Sequence, residues 1–351
     1  MIESFRMKII KENLPLDVFL SLTSEYFYKN RANIISKSGD FITAPEASQM
    51  FCHAVSVWAY QHIIKSTNVV LVELGPGYGT LISEILQFLK KDPQCITKIK
   101  EVFLVETSPQ MILKQQDTLK KHCDIKFNWI QNIDELEKLS SEDNIVLIAN
   151  EFFDAIPIKQ FIKINQHFHE IFISKNSTLS YDNHYINDDM MEKIMQYSQL
   201  NPNDFDEKDI YELSTASLSI LNIICSLLKK HSGGALIIDY GYIQLKKNNT
   251  IQAIFQHQIL DDFMSHLGEA DISAQVDFGS MLHFINLNYP KLMCDLLTQK
   301  DFLDKHHIKE IVETAKQHAK TAAEIHSINF EFSKISEDMG CIFKALEIHC
   351  A

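Results

Sequence analysis

No run of apolar residues in this 351-residue chain approaches 18, the length a helix needs to cross the hydrocarbon of a bilayer, so membrane insertion is not expected. Positive charge is scarce: Lys plus Arg number 33 against 46 Asp plus Glu, a net charge of −13. Neutralising phosphates on nucleic acid or an anionic membrane needs clustered cations, so the acidic balance argues against general nucleic-acid binding. The seven cysteines, Cys52, Cys95, Cys123, Cys225, Cys294, Cys341 and Cys350, are odd in number, scattered and without a CxxC pair. That usage suits free, mostly buried thiols in a reducing compartment. Fifteen histidines include His167-Phe168-His169 and His306-His307, but HExxH and Cys/His clusters are missing, so no metal site is expected. Internal repeats and long low-complexity linkers are also absent.

What remains is ordinary material for a core, with 46% apolar and 23% charged residues. The length exceeds one typical domain of about 100–200 residues, yet suits a single elaborated α/β domain. The opening MIESFRMKIIKENLPLDVFL carries Glu3, Glu12 and Asp17 and lacks an apolar core followed by a cleavage site. No signal or transit peptide is expected from it, and the cytoplasm is the expected compartment.

Apolar spacing predicts a helix through Val18, Phe19, Leu22 and Phe27, then a polar, turn-prone segment over 30–40. A second helix is expected to begin after Ala44, where Pro45 suits a first helical position and Glu46 favours the N-terminal end of the dipole. From residue 68 short β-branched runs alternate with helical patterns. Strands are expected at Val69–Val72, Val102–Val105, 125–130, Ile145–Ala149 and Ala235–Asp239, with a final one over Cys341–Ile348. That order is the signature of an open, doubly wound, mostly parallel sheet. IKQFIKINQHFHEIFIS reads as paired strands, Ile210–Leu228 as a helix, and the polar stretch 175–210 as an insertion. An N-terminal helical lobe over 1–66 and an insertion around 165–230 of the domain 67–351 are therefore expected.

Three segments carry chemistry. In VVLVELGPGYGTLISEIL the glycines Gly75, Gly77 and Gly79 follow a strand and precede a helical pattern through Leu81, Ile85 and Leu89, permitting unusual backbone angles and close ligand approach, and with Thr80 they are candidates to bind a cofactor. Glu106, at the tip of the next strand, is placed to accept hydrogen bonds from both ribose hydroxyls of an adenine nucleoside. Glu73, in front of the glycines, would repel a pyrophosphate but suits the cationic methionine portion of S-adenosylmethionine. The pair favours S-adenosylmethionine over NAD, while a tight turn flanked by solvated carboxylates is the plainer alternative. In NIVLIANEFFDAIPIKQF a strong apolar strand delivers Asn150, Glu151 and Asp154 to its carboxyl end, where doubly wound sheets bind ligands. Asn150 joins the candidate cofactor set, and Glu151 and Asp154 are candidates to orient a nucleophile and hold its positive charge. An N-cap with a loop ion pair is the competing account. The third segment, SGDFITAPEASQMF, offers Thr43, Glu46 and Gln49 as a lid or substrate-side set, though taken alone it reads more readily as an ordinary capped helix start.

At these residues the chain resembles the MidA-like family of class I S-adenosylmethionine-dependent methyltransferases. GDFITAPEASQMF, VELGPGYGTL, NEFFDAIPIKQF, ALIIDYGY, TIQAIFQHQILDDFMSHLGEADISAQVDF and DMGCIFKALEI carry the resemblance in order, from about Met7 to Ile348. It implies a Rossmann-like methyltransferase core with added helices and S-adenosylmethionine as cofactor. For the family's mitochondrial member, an assembly factor of NADH:ubiquinone oxidoreductase, it implies symmetric dimethylation of a protein arginine. A protein acceptor, such as a respiratory-complex subunit, is thus the implied partner. Three residues depart from the pattern: Tyr78 replaces a basic residue common inside the glycine loop, Cys52 stands where glycine is expected, and Gln275 occupies a position often held by histidine. Competing functions are a small-molecule methyltransferase lidded by 175–210, a cofactor-binding assembly chaperone with little catalysis, and an NAD-linked oxidoreductase.

Overall fold

A computed structural model describes residues 5–6, 13–30, 44–140, 142–174, 179–198, 200–256, 258–260, 262–264 and 266–350. Its centre is a sheet of seven long strands: β1 Val69–Leu74, β2 Ile99–Val105, β3 Phe127–Ile130, β4 Asn144–Asn150, β5 Gly233–Tyr242, β6 Leu292–Thr298 and β7 Phe343–Cys350. They lie in the order β6-β7-β5-β4-β1-β2-β3, and Val276–Asp277 adds a short parallel pairing to the end of β5. β1 through β5 run parallel, and β7 runs antiparallel to both neighbours. This is the α/β, mostly parallel architecture expected from the sequence. The order reverses between β1 and β4, which opens a crevice at the carboxyl ends of the strands.

The apolar runs form strands because both sheet faces are covered, and every residue of β1 is buried. Alternation then sorts the side chains. Val69 and Leu71 join a core with Val146, Ile148, Leu236 and Ile238, under the helices Gln49–Ile63 and Thr80–Leu89. Val70, Val72 and Leu74 join Ile145, Leu147, Ala235 and Ile237 beneath Thr215–His231 and Phe278–Asn288.

The first helix, Leu16–Asn30, packs elsewhere. Its Leu16, Phe19 and Leu20 share a core with Ile158, Ile171, Ile173 and Leu267, whereas Gln49–Ile63 belongs to the main sheet. A second sheet runs Leu14–Pro15, His167–Ile173, Lys159–Ile164, Ile210–Leu213, with Leu179–Tyr185 also on His167–Ile173. The paired strands expected there turn through Asn165 and Gln166, both at positive φ (48° and 70°), as a two-residue hairpin requires.

Several boundaries differ from expectation. Ile210–Leu213 is a strand rather than the start of a helix, because IYEL pairs with 159–162 and Ser214 caps the following helix by accepting the Ser217 N–H at 3.0 Å. After Ala44 only one short turn forms, Ala44–Ala47; the long helix starts at Gln49 behind Ser48, whose hydroxyl accepts the Met50 N–H at 3.2 Å. Within the insertion, Ile194, Leu200 and Phe205 bury against Phe161, Phe168 and Tyr211.

Candidate active site

A cleft of about 330 Å³ sits over the tips of β1, β2 and β4. Its glycine loop follows β1, with Gly75 at φ 60° and Gly79 at φ 80°. A side chain at Gly75 would be strained by that backbone, and its Cβ would come within 2.8 Å of Phe152 Cδ2. The loop after β1 and the loop after β4 therefore touch at a residue with no side chain, Gly75.

Glu73 is buried at 3% exposure, and the Ile82 N–H in the first turn of Thr80–Leu89 favours its ionised form. Burial pushes it up to about 8, and Oε2 finds no hydrogen-bond partner among the described residues. Thr80 Oγ1 donates to Glu46 Oε1 at 2.5 Å, drawing the turn Ala44–Ala47 against the glycine loop. Glu106, after β2, takes the Ser108 N–H on Oε1 at 2.8 Å and Gln115 Nε2 on Oε2 at 3.0 Å. Burial raises its pKa and these donors oppose the rise.

At the end of β4, Asn150 donates from Nδ2 to Glu151 Oε1 at 3.3 Å, while its buried Oδ1 lacks a partner among the described residues. Glu151 adopts φ 50°, and its Oε1 also accepts the Ala44 N–H at 2.8 Å. Burial pushes it up to about 7. Asp154 is raised well above the ordinary carboxylate range, first by burial and then by Asp239, Asp271 and Glu151.

Of the residues singled out from the sequence, Glu73, Gly75, Gly77, Thr80, Glu106, Asn150, Glu151 and Glu46 line this cleft. Gly79 lies behind it as the residue capping the helix, Asp154 stands outside the lining, and Gln49 is exposed at a helix start. Thr43 lies outside the described residues. The basic residue missing at Tyr78 is answered by Lys114, whose Nζ sits 4.3 Å from the Tyr78 ring centroid. Gln275 instead accepts from Lys246 at 2.6 Å.

Sequence reasoning did not single out Asp239, Tyr28 or Asp271. Asp239, fully buried in β5 one residue past its ladder with β4, accepts the N–H groups of Phe153 (2.9 Å) and Asp154 (3.1 Å) on Oδ2. It fixes the loop that presents Glu151, and burial pushes it up to about 8. An acid at the end of the buried run ALIID was the available signal. Tyr28 lines the cleft, donates to Asp271 Oδ1 at 3.4 Å and accepts Ser108 Oγ on its carbonyl at 3.2 Å. It ties the first helix to both sides of the site, a contact no local pattern announces.

The acceptor set suits a nucleoside joined to an amino acid. Glu106 offers a carboxylate at the tip of β2, and the unpartnered oxygens of Glu73 and Asn150 are acceptors awaiting N–H donors, as an ammonium supplies. No helix among the described residues is long and apolar enough to cross a membrane.

Comparisons with known proteins agree with this arrangement. The family model for S-adenosyl-L-methionine-dependent methyltransferases matches residues 53–289. A Caenorhabditis elegans protein named "Protein arginine methyltransferase NDUFAF7 homolog, mitochondrial" is 26% identical over 339 residues, 89% of this chain and 75% of that protein. The Homo sapiens "Protein arginine methyltransferase NDUFAF7, mitochondrial" is 27% identical over 281 residues, 72% of this chain and 60% of that protein. A Burkholderia thailandensis structure bound to S-adenosyl-homocysteine superposes with a TM-score of 0.78 at 20% identity, covering 99% of this chain and 91% of that one. The chain belongs to this family of S-adenosyl-L-methionine-dependent methyltransferases, with S-adenosylmethionine as its cofactor.

Proposed function

From that membership we propose that the protein methylates an arginine side chain of a protein acceptor. The observation that supports the acceptor class most directly is Glu151, a carboxylate held in the cleft beside further buried acids, Asp154 and Asp239. Such a group gains most from a cation. The names of the relatives point the same way.

The cofactor supplies an electrophilic methyl on a sulfonium. Glu73 and Asn150 would hold its amino-acid end, Glu106 its ribose, and Gly75 and Gly77 would let it approach the main chain. A guanidinium stays protonated at neutral pH, with a pKa above about 12, so its nitrogens are weak nucleophiles unassisted. In the proposed mechanism Glu151 takes paired hydrogen bonds from the guanidinium, draws charge toward one nitrogen and aims the other at the methyl. An arriving cation favours the ionised form of Glu151, opposing the burial that raises its pKa. As the new N–C bond forms, the S–CH3 bond would break with its electron pair left on the now neutral sulfur, and the proton released from that nitrogen would pass to the carboxylate or to water. Asp154 is assigned a supporting charge, and Glu46, with Thr43 and Gln49, the segment that closes over the acceptor.

Radiolabelled methyl transfer into a cell extract, followed by size fractionation and amino-acid analysis, tests the proposal. Label in methylarginine of a protein fraction is expected. Label confined to small molecules favours a small-molecule methyltransferase, and cofactor binding without transfer favours an assembly chaperone. A respiratory-complex subunit as acceptor and a cytoplasmic location belong to the same proposal; identification of the labelled protein and imaging of the tagged chain decide both.

A further inference from the structure

Gln115 is fully buried in the helix Pro109–Leu119 and does not line the cleft. Its side-chain amide nevertheless spends every group on the cofactor half. Nε2 donates to the Gly77 carbonyl at 2.8 Å and to Glu106 Oε2 at 3.0 Å, and Oε1 accepts the Trp129 indole N–H at 2.9 Å. One amide thus joins the loop after β1, the acid after β2 and the middle of β3. Its orientation is chemically determined. An indole nitrogen only donates, and a carbonyl and a carboxylate only accept, so a flipped amide would lose all three bonds.

The consequence falls on Glu106. With Ser108 N–H on one oxygen and Gln115 on the other, the plane of the carboxylate is set from both sides. A carboxylate that accepts two neighbouring hydroxyls gains from being held in the receiving plane before the ligand arrives. The same amide pins the Gly77 carbonyl, and a Cβ at Gly79 would lie 3.6 Å from Gln115 Cα, so the glycine loop runs close beside this residue.

We propose that Gln115 is a positioning residue for the cofactor, setting the ribose-facing carboxylate of Glu106 and the glycine loop in register, with Trp129 fixing its amide. This rests on the assignment of Glu106 to the ribose. The test is calorimetric affinity for S-adenosylhomocysteine and for its 2′,3′-dideoxy analogue, in the wild type, Gln115→Met, Trp129→Phe and Glu106→Gln. The wild type should prefer the hydroxylated ligand. Gln115→Met, which keeps volume and removes the donors, should cut that preference by about tenfold while leaving affinity for the dideoxy analogue within about threefold. Trp129→Phe, which frees the amide to turn, should cut it by about threefold. Equal weakening of both ligands by Gln115→Met would mark a purely structural role and overturn the proposal. Should Gln115→Met fail to fold, an unchanged preference in Trp129→Phe overturns it instead. If Glu106→Gln removes the preference while Gln115→Met keeps it, the ribose assignment stands and the proposal falls. No preference in the wild type overturns both.

Discussion

Glu106 and Glu151 stand at the tips of β2 and β4, on either side of the glycine loop, and are held by different means. Glu106 takes its donors from residues two and nine positions along the chain, Ser108 and Gln115. Glu151 takes its main-chain donor from Ala44, 107 positions away, and faces the charge of Asp271. The cofactor half is set locally and is ready before any ligand binds. The acceptor half is assembled from distant segments and gathers buried acids whose ionised forms a cationic ligand favours.

The largest effect expected from breaking this contrast is at the point where the halves meet. Gly75→Val places a β-branched side chain at φ 60° and into Phe152, and S-adenosylhomocysteine affinity should fall about 100-fold or more by calorimetry. Next comes the acceptor half alone. Glu151→Gln should lower kcat/KM for methyl transfer about 100-fold, with cofactor affinity within about threefold of wild type. Glu151→Gln and Asp154→Asn variants that both transfer at the wild-type rate would sink the acceptor assignment.

Asp239→Ala leaves the Phe153 and Asp154 N–H groups without their acceptor, and denaturant titration should show a loss of about 2 kcal/mol. A smaller effect is pH-dependent. Glu73 is pushed up to about 8 by burial, from an ordinary value of 4.5. The folded state therefore binds this proton more tightly than the unfolded chain, and its contribution to stability declines as pH rises between those values. Thermal midpoints of the ligand-free protein should decline over that window, and Glu73→Gln should flatten the decline. The smallest effect lies away from the cleft: Lys120→Ala removes an exposed pair with Asp117 and should leave both the midpoint and transfer unchanged.

Much of the cofactor half was legible along the chain. The run VVLVEL buries on both faces, the glycines follow at once, and Glu106 ends the next apolar run, so period and punctuation sufficed. The final strand runs Phe343–Cys350, two residues later than the Cys341–Ile348 that composition suggests, because its ladder with β5 and β6 sets the ends. The acceptor half was only partly legible. Asn150 and Glu151 stood out at a strand tip, but Asp239 acts through two main-chain N–H groups of another loop, and Tyr28 reaches Asp271 across 243 positions. Gln115 looked like any polar residue of an amphipathic helix, since its three bonds go to three other elements.

The sequence by itself determined the parallel sheet, the left-handed glycine turn and the acid at the second strand tip, because each depends on side-chain period or on conformational freedom within a few residues. Tertiary structure alone decided which carboxylates share the cleft, which are paired with donors and which are left to repel one another. Those outcomes depend on the meeting of residues up to hundreds of positions apart, and burial there raises the energy of a charge according to what surrounds it rather than what precedes it.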